Sequence, residues 1–214
     1  MNLVLLGAPG SGKGTQALLL SRHFSIPKIS TGDIFRNILK TKSTLADTIR
    51  GYMETGGLVP DAIVIELIRG VMRTEAKDGF VFDGFPRTVE QAVAFDQLLC
   101  DENKKLNYAI DLHMDDAVLL KRLLGRYTCE HCGSQFHVEF KPPKVDKICD
   151  SCGSNLIVRD DDTEDKIRNR MIVYKKNYDR LSSFYRTMGI LIAIDGDGAI
   201  DCINDKIKQL LCSV

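Results

Sequence analysis

The chain has 214 residues, 44% of them hydrophobic and 27% charged, with 29 Lys+Arg balanced by 29 Asp+Glu. This is the composition of a soluble globular domain large enough to bury its own core, and zero net charge argues against a general nucleic-acid or membrane-surface binder. The longest apolar runs, at residues 3–6 and 190–194, are far short of the ~20 residues that span a bilayer, and the first cation is Lys13, so the chain is read as cytoplasmic, with neither membrane span nor secretory leader.

The first predicted strand, residues 2–6, runs into Gly7-Ala8-Pro9-Gly10-Ser11-Gly12-Lys13-Gly14-Thr15 and then a helical run, residues 16–20. Glycines let successive backbone N–H groups turn into one concavity at a helix N-terminus, and Lys13 adds a point charge, so the stretch predicts a phosphate cradle. The strict P-loop pattern has Ser or Thr directly after the lysine; here Gly14 intervenes and Thr15 comes second, which displaces the usual direct Mg²⁺ ligand. A weaker strand follows at residues 27–30. A helix is predicted from Asp61, after Pro60, with apolar residues at Ile63, Leu67, Ile68 and Val71. The strand at residues 80–83 ends in Asp83, where P-loop enzymes carry the carboxylate that organises Mg²⁺. Asp83 is expected to hold the ion through water, its alternative being a turn or cap residue before Gly84.

Thr88 ahead of Glu90-Gln91 opens the next helix, residues 108–114 form another strand, and Asp115-Asp116 precede a helix over residues 117–124. The last strand is residues 191–195. Strands that are apolar on both faces and alternate with helices predict an α/β fold, a doubly wound parallel sheet with helices on both sides.

Residues 127–158 break the alternation. They show no helical period and carry a loop-like Lys141-Pro142-Pro143-Lys144, so they read as an inserted subdomain. Cys129-Glu130-His131-Cys132 and Cys149-Asp150-Ser151-Cys152 lie within it, each pair followed by a glycine, Gly133 and Gly153. Two such pairs place four thiolates on facing turns, the arrangement of a closed structural Zn²⁺ site that does no chemistry. His131 and His137 are bystanders, because four sulfurs complete the coordination. The remaining cysteines, Cys100, Cys202 and Cys212, fall singly in helical stretches and are expected to be inert. The acidic run Asp160-Asp161-Asp162-Thr163-Glu164-Asp165 is expected to open a helix.

Gly12-Lys13-Gly14-Thr15-Gln16, Ser30-Thr31-Gly32-Asp33 with Arg36, Asp83-Gly84-Phe85-Pro86-Arg87-Thr88 and Arg159-Asp160-Asp161-Asp162 together resemble the nucleoside monophosphate kinases, specifically the adenylate kinase family, over essentially the whole chain. The resemblance implies a P-loop core of five parallel strands over residues 1–29, 60–121 and 160–214. It implies a helical AMP-binding segment at 30–59 and a small β-rich zinc-binding lid at 122–159. The implied reaction is Mg²⁺-dependent, in-line transfer from ATP to AMP giving two ADP, by a monomer, under a closing lid.

By the same resemblance ATP meets Gly10, Ser11, Gly12, Lys13, Gly14, Thr15, Arg122, Arg126, Gln135, Phe136 and Gly198. AMP meets Thr31, Arg36, Gly57, Leu58, Val59, Gly84, Phe85, Pro86, Arg87, Gln91, Arg159 and Arg170. Lys13, Arg87, Arg122, Arg159 and Arg170 act on the group in flight, with Asp161 and Asp162 as paired acids at the lid hinge. Physical chemistry agrees with that set: phosphoryl transfer gathers negative charge and must exclude water, and arginine's planar fork keeps its charge when desolvated. Gln91 is expected either at adenine's edge or as a plain exposed helix residue, and Phe136 either stacked on a base or packed in the cysteine knuckle. Many relatives have a second arginine at Tyr127, so one lid cation is expected to be missing. Arg22, Arg69 and Arg186 are read as solvated surface charges.

Two other readings remain open on the residues alone. One is a kinase for a different nucleoside monophosphate. The other is an ATP-driven nucleic-acid binder reading through its four-cysteine knuckle, disfavoured because residues 122–159 carry six Lys+Arg against four Asp+Glu and few aromatics beyond Phe136 and Phe140.

Overall fold

Leu3, Val4 and Leu5 are buried to within 1% of completely, as a strand covered on both faces requires. In the computed structural model, which describes residues 1–212, they belong to strand β1 (Asn2–Gly7), followed by helix α1 (Lys13–Phe24). Next come β2 (Lys28–Ser30), α2 (Thr31–Leu39), α3 (Thr44–Thr55), α4 (Asp61–Thr74), β3 (Phe80–Asp83) and α5 (Val89–Asp101). The chain continues through β4 (Tyr108–His113) and α6 (Asp116–Leu124) to three short strands, β5 (Arg126–Cys129), β6 (Gln135–His137) and β7 (Leu156–Ile157). The 24-residue α7 (Glu164–Thr187), β8 (Leu191–Asp195) and α8 (Ile200–Cys212) complete it.

Strands β2-β3-β1-β4-β8 form one parallel sheet in that order. One face is covered by α1 and α8 through Ala17, Leu20, Ile203 and Ile207. The other is packed with Phe80, Phe82, Phe85 and Phe95, whose rings meet edge-on or tilted at 4.9–5.8 Å between centroids. The fold class expected from the alternating pattern is the one observed. Because β3 and β4 flank β1 on opposite sides, the chain reverses direction of travel across the sheet there. The crevice at the carboxyl end of β1 is therefore where an open α/β sheet binds a ligand.

Helix starts follow their predicted caps. Thr88 Oγ1 accepts from Gln91 N at 3.0 Å and Asp115 from Ala117 N at 2.8 Å, and α4 begins at Asp61 behind Pro60. Ser30, which carried no such expectation, also caps α2, accepting from Asp33 N at 3.3 Å. The acidic run divides: Glu164 and Asp165 lie in the first turn of α7, whereas residues 160–162 precede it as a turn. Residues 30–59 carry α2 and α3, and the irregular insertion holds an antiparallel sheet ordered β6-β5-β7. No helix among the described residues is long and apolar enough to cross a membrane. Cys100, Cys202 and Cys212 lie on exposed helix surface, as do Arg22 and Arg186.

Candidate active site

The turn after β1 is built for anions. Gly10 and Gly12 adopt φ of 87° and 93°, a region L side chains rarely enter, and Gly12 is the N-cap of α1 without a side-chain cap bond. The first N–H groups of α1 are thereby left for a ligand. Lys13 Nζ curls back into the loop, donating to Gly7 O at 2.6 Å and Ala8 O at 2.7 Å. Burial pushes its pKa down to about 7, opposed by Asp83 and reinforced by Arg87, Arg170 and Arg126. An ammonium so placed lacks a full counter-charge, which a polyphosphate would supply.

The cleft around this loop has a volume of about 580 Å³ and is lined by eight Lys or Arg side chains, Lys13, Arg36, Arg87, Arg122, Arg126, Lys141, Arg159 and Arg170, against two carboxylates, Asp83 and Asp161. Arg159 is pushed down to about 9 by burial and then by Arg126 and Arg36, and Arg87 to about 10 by burial and then by Arg170. Both remain charged at neutral pH. Cations buried side by side in a cleft in this way make it a candidate anion site. Arg87 Nε is fixed by Gly84 O at 2.8 Å, and Arg122 Nε finds no acceptor among the described residues.

Asp161 and Asp162 address arginines. Arg126 forks onto Asp162, Nε reaching Oδ2 at 2.7 Å and the second nitrogen Oδ1. Arg170 Nη1 lies 3.2 Å from both Asp161 Oδ2 and Asp162 Oδ1. Burial alone would raise the pKa of Asp161, but Arg170, Arg159 and Arg126 outweigh it and hold it below the usual range. Asp162 is buried away from the cleft lining. Asp162 thus orients Arg126 and Arg170 from behind the cleft wall, whereas Asp161 both pairs with Arg170 and lines the cleft.

The remaining expected residues gather on one cleft. Gly10, Ser11, Gly12, Gly14, Thr15, Gln135, Phe136 and Gly198 line it, as do Thr31, Gly57, Leu58, Val59, Gly84, Pro86 and Gln91. Phe85 is the exception. Its ring is completely buried in the core, 5.5 Å from Phe82 and 5.1 Å from Phe95, and it does not line the cleft. The neighbours that do, Gly84 and Pro86, flank a residue whose size belongs to the interior. Gln91 is 2% exposed, which rules out the plain surface residue. Phe136 packs with Cys129, Cys149 and Leu156 in the knuckle, and it also lines the cleft. Tyr127, paired across β5 and β6 with Phe136, packs against the same knuckle.

Lys141, Tyr174 and Tyr178 also line the cleft, and no sequence signal singled them out. Lys141 sits in an irregular Lys-Pro-Pro stretch, with Nζ 5.1 Å from the Phe136 ring centroid. Tyr178 donates to the fully buried Asp111 at 2.6 Å. His137 is buried at the base of the lid, where Glu139 N donates to its Nδ1 at 2.9 Å.

In the lid the four Sγ atoms of Cys129, Cys132, Cys149 and Cys152 lie within 4.8 Å of one another. The pairs Cys129–Cys152 and Cys132–Cys149 are 3.4 and 3.5 Å apart, too far for the ~2.05 Å of a disulfide and close to the roughly 3.8 Å edge of a tetrahedron of Zn–S bonds. Each knuckle closes identically, Gly133 N donating to Cys129 O and Gly153 N to Cys149 O, with both glycines at positive φ. The donor set fits a thiophilic ion with no open position.

A family model described as adenylate kinase matches residues 5–190. The adenylate kinase of Clostridium acetobutylicum is 42% identical over 212 residues, covering 99% of each chain. The adenylate kinase of Citrifermentans bemidjiense is 44% identical over 208 residues, covering 97% of each, and that of Methanococcoides burtonii is 44% identical over 212 residues, covering 99% of this chain and 98% of the relative.

Proposed function

This chain belongs to the adenylate kinase family, and on that premise we propose that it transfers the terminal phosphoryl group of ATP to AMP, giving two ADP. The observation that carries the reading is the cleft with eight cations and two carboxylates, which spans from the phosphate loop to Thr31 and Gln91. Two nucleotides meeting phosphate to phosphate bring more negative charge together than a single bound nucleotide, and only such a surplus of fixed cations offsets it.

The roles follow the positions. Lys13 and the N–H groups of α1 hold the donor's phosphates, with Arg122 and Arg126 closing from the lid side. Arg36, on α2, and Arg87, between β3 and α5, hold the acceptor's phosphate. Arg159 and Arg170 lie between these groups, oriented by Asp161 and Asp162, and act on charge developing in the transferred group. Positioning and electrostatics suffice here, because phosphoryl transfer asks for little covalent help. Water is kept out by β6, whose Gln135 reaches the phosphate loop.

Asp83 opens onto the cleft beside Gly14 and Thr15, which fits Mg²⁺ held through water. Bound there, the ion would neutralise the donor's phosphate oxygens. The four cysteines would hold Zn²⁺ as a staple of the lid. The protein is proposed to act as a cytoplasmic monomer without nucleic acid, in keeping with its balanced charge.

With ATP and Mg²⁺ fixed, AMP, GMP, CMP and UMP are compared as acceptors. AMP is expected to exceed the others in kcat/KM by orders of magnitude; preference for a pyrimidine nucleotide would overturn the assignment.

A further inference from the structure

A glutamine amide can read a purine in either of two orientations, because its oxygen and nitrogen have similar shape and opposite hydrogen-bonding character. In this chain the choice is made by the neighbours. Gln91 Nε2 donates to Asp61 Oδ1 at 2.7 Å, and Gln91 Oε1 accepts from Arg87 N at 2.8 Å. A carboxylate only accepts and a backbone N–H only donates, so turning the amide over would set acceptor against acceptor and donor against donor.

Asp61 is itself fixed. It is the first residue of α4, and its other oxygen accepts from Thr88 Oγ1 at 3.1 Å. Thr88 in turn accepts from Gln91 N, closing a ring of Asp61, Thr88 and Gln91. This ring consumes one N–H and one lone pair of the Gln91 amide, leaving one of each for the cleft that Gln91 lines.

We propose that Asp61 is a specificity-determining positioning residue, whose carboxylate locks the Gln91 amide in the orientation that accepts a 6-aminopurine and refuses a 6-oxopurine. The inference rests on the reading that Gln91 faces the acceptor's base. Adenine offers the N6 amino donor beside an acceptor, N1 or N7, and the locked amide meets them with Oε1 and Nε2–H. Hypoxanthine and guanine put the O6 acceptor where N6 was, so Oε1 faces an oxygen. An amide free to turn would present Nε2–H to O6 and lose that discrimination. No sequence motif marks the role, because Asp61 reads simply as an acidic residue opening a helix.

The test compares AMP with IMP, which lacks guanine's extra amino group, using the metal-loaded full-length enzyme with ATP as donor. Asp61→Leu keeps the shape and removes the acceptor. It is expected to lower the AMP-over-IMP ratio of kcat/KM at least tenfold, mainly through KM for AMP, while KM for ATP stays within twofold. Asp61→Asn is expected to restore the ratio, since its oxygen still accepts from Gln91 and its nitrogen donates to Thr88. If the leucine variant does not fold, Asp61→Ala is measured in its place with the same expectation. Gln91→Leu separates the two layers of the inference. An unchanged ratio in Gln91→Leu would remove Gln91 from the base site and the parent reading with it. A ratio that falls in Gln91→Leu but not in folded Asp61→Leu or Asp61→Ala would overturn the lock alone, as would failure of Asp61→Asn to rescue.

Discussion

Gln135 of the lid lies against Gly14 of the phosphate loop, so that a Cβ added at Gly14 would come 3.1 Å from Gln135 Nε2 and 3.0 Å from Asp83 Oδ2. The position after Lys13, where a hydroxyl residue is usual in the strict P-loop pattern, is where the lid and Asp83 converge, and glycine there spares both side chains a shift.

Gly14→Ala is therefore expected to lower kcat/KM for ATP severalfold with little change in Tm, because the added Cβ would press on Gln135 Nε2 and Asp83 Oδ2. Gln135→Ala in the same chain should recover part of the loss. A double-mutant cycle on kcat/KM checks this, and a Gly14→Ala enzyme with unaltered kinetics would dismiss the contact as unimportant.

Lys13 makes nucleotide binding proton-linked. Burial pushes its pKa down to about 7 from an ordinary 10.5, so above pH 7 the ammonium is partly deprotonated, and a bound phosphate would restore its charge. Binding of ATP at pH 8 should take up a proton, read as different binding enthalpies in buffers of different ionisation enthalpy; identical enthalpies would contradict it. For stability the sign follows from the unfolded chain holding this proton between about 7 and 10.5: the contribution of Lys13 rises with pH across that window.

Asp162 holds Arg126 by a two-pronged bond with its own side chain fully buried. Replacing it by alanine would leave Arg126 without its carboxylate partner and cost about 3 kcal/mol, the scale of breaking one side of a buried pair. Denaturant unfolding of Asp162→Ala would measure the loss, and kcat should fall as Arg126 loses its orientation. A variant as stable and active as the parent would show that the fork does no such positioning.

Removing the ion proposed for the four cysteines should lower Tm more than turnover. If the staple contributes about 2 kcal/mol to unfolding, a chain of this size loses roughly 4–8 °C on chelation, while turnover at 25 °C falls only severalfold. Cys149→Ser should reproduce the chelated protein. Metal-free protein melting at the original temperature would end the structural role.

The sheet, phosphate loop and cysteine knuckles were legible because each has a local signature: apolar runs for strands buried on both faces, glycines where φ must be positive, and paired thiols at fixed spacing. The residues that were not legible depend on the far side of the chain. Phe85 sits in a motif whose neighbours line the cleft, yet the turn carries its ring into the core against Phe82 and Phe95. Lys141 lines the cleft where the chain turns back to pair with His137 at the end of β6, and Asp61 meets Gln91 from 30 residues away. Spacing along the chain carries no trace of such meetings.

The central claim is that this cleft exchanges a phosphoryl group between two adenine nucleotides. Supplying ADP and Mg²⁺ alone, with no other nucleotide, tests it most directly. ATP and AMP are expected to accumulate in equal amounts, and Lys13→Ala or Arg87→Ala should slow their formation by roughly 10²–10³-fold, as loss of one preorganised cation implies. ADP left unchanged by the metal-loaded enzyme, or ATP formed without matching AMP, would contradict the account.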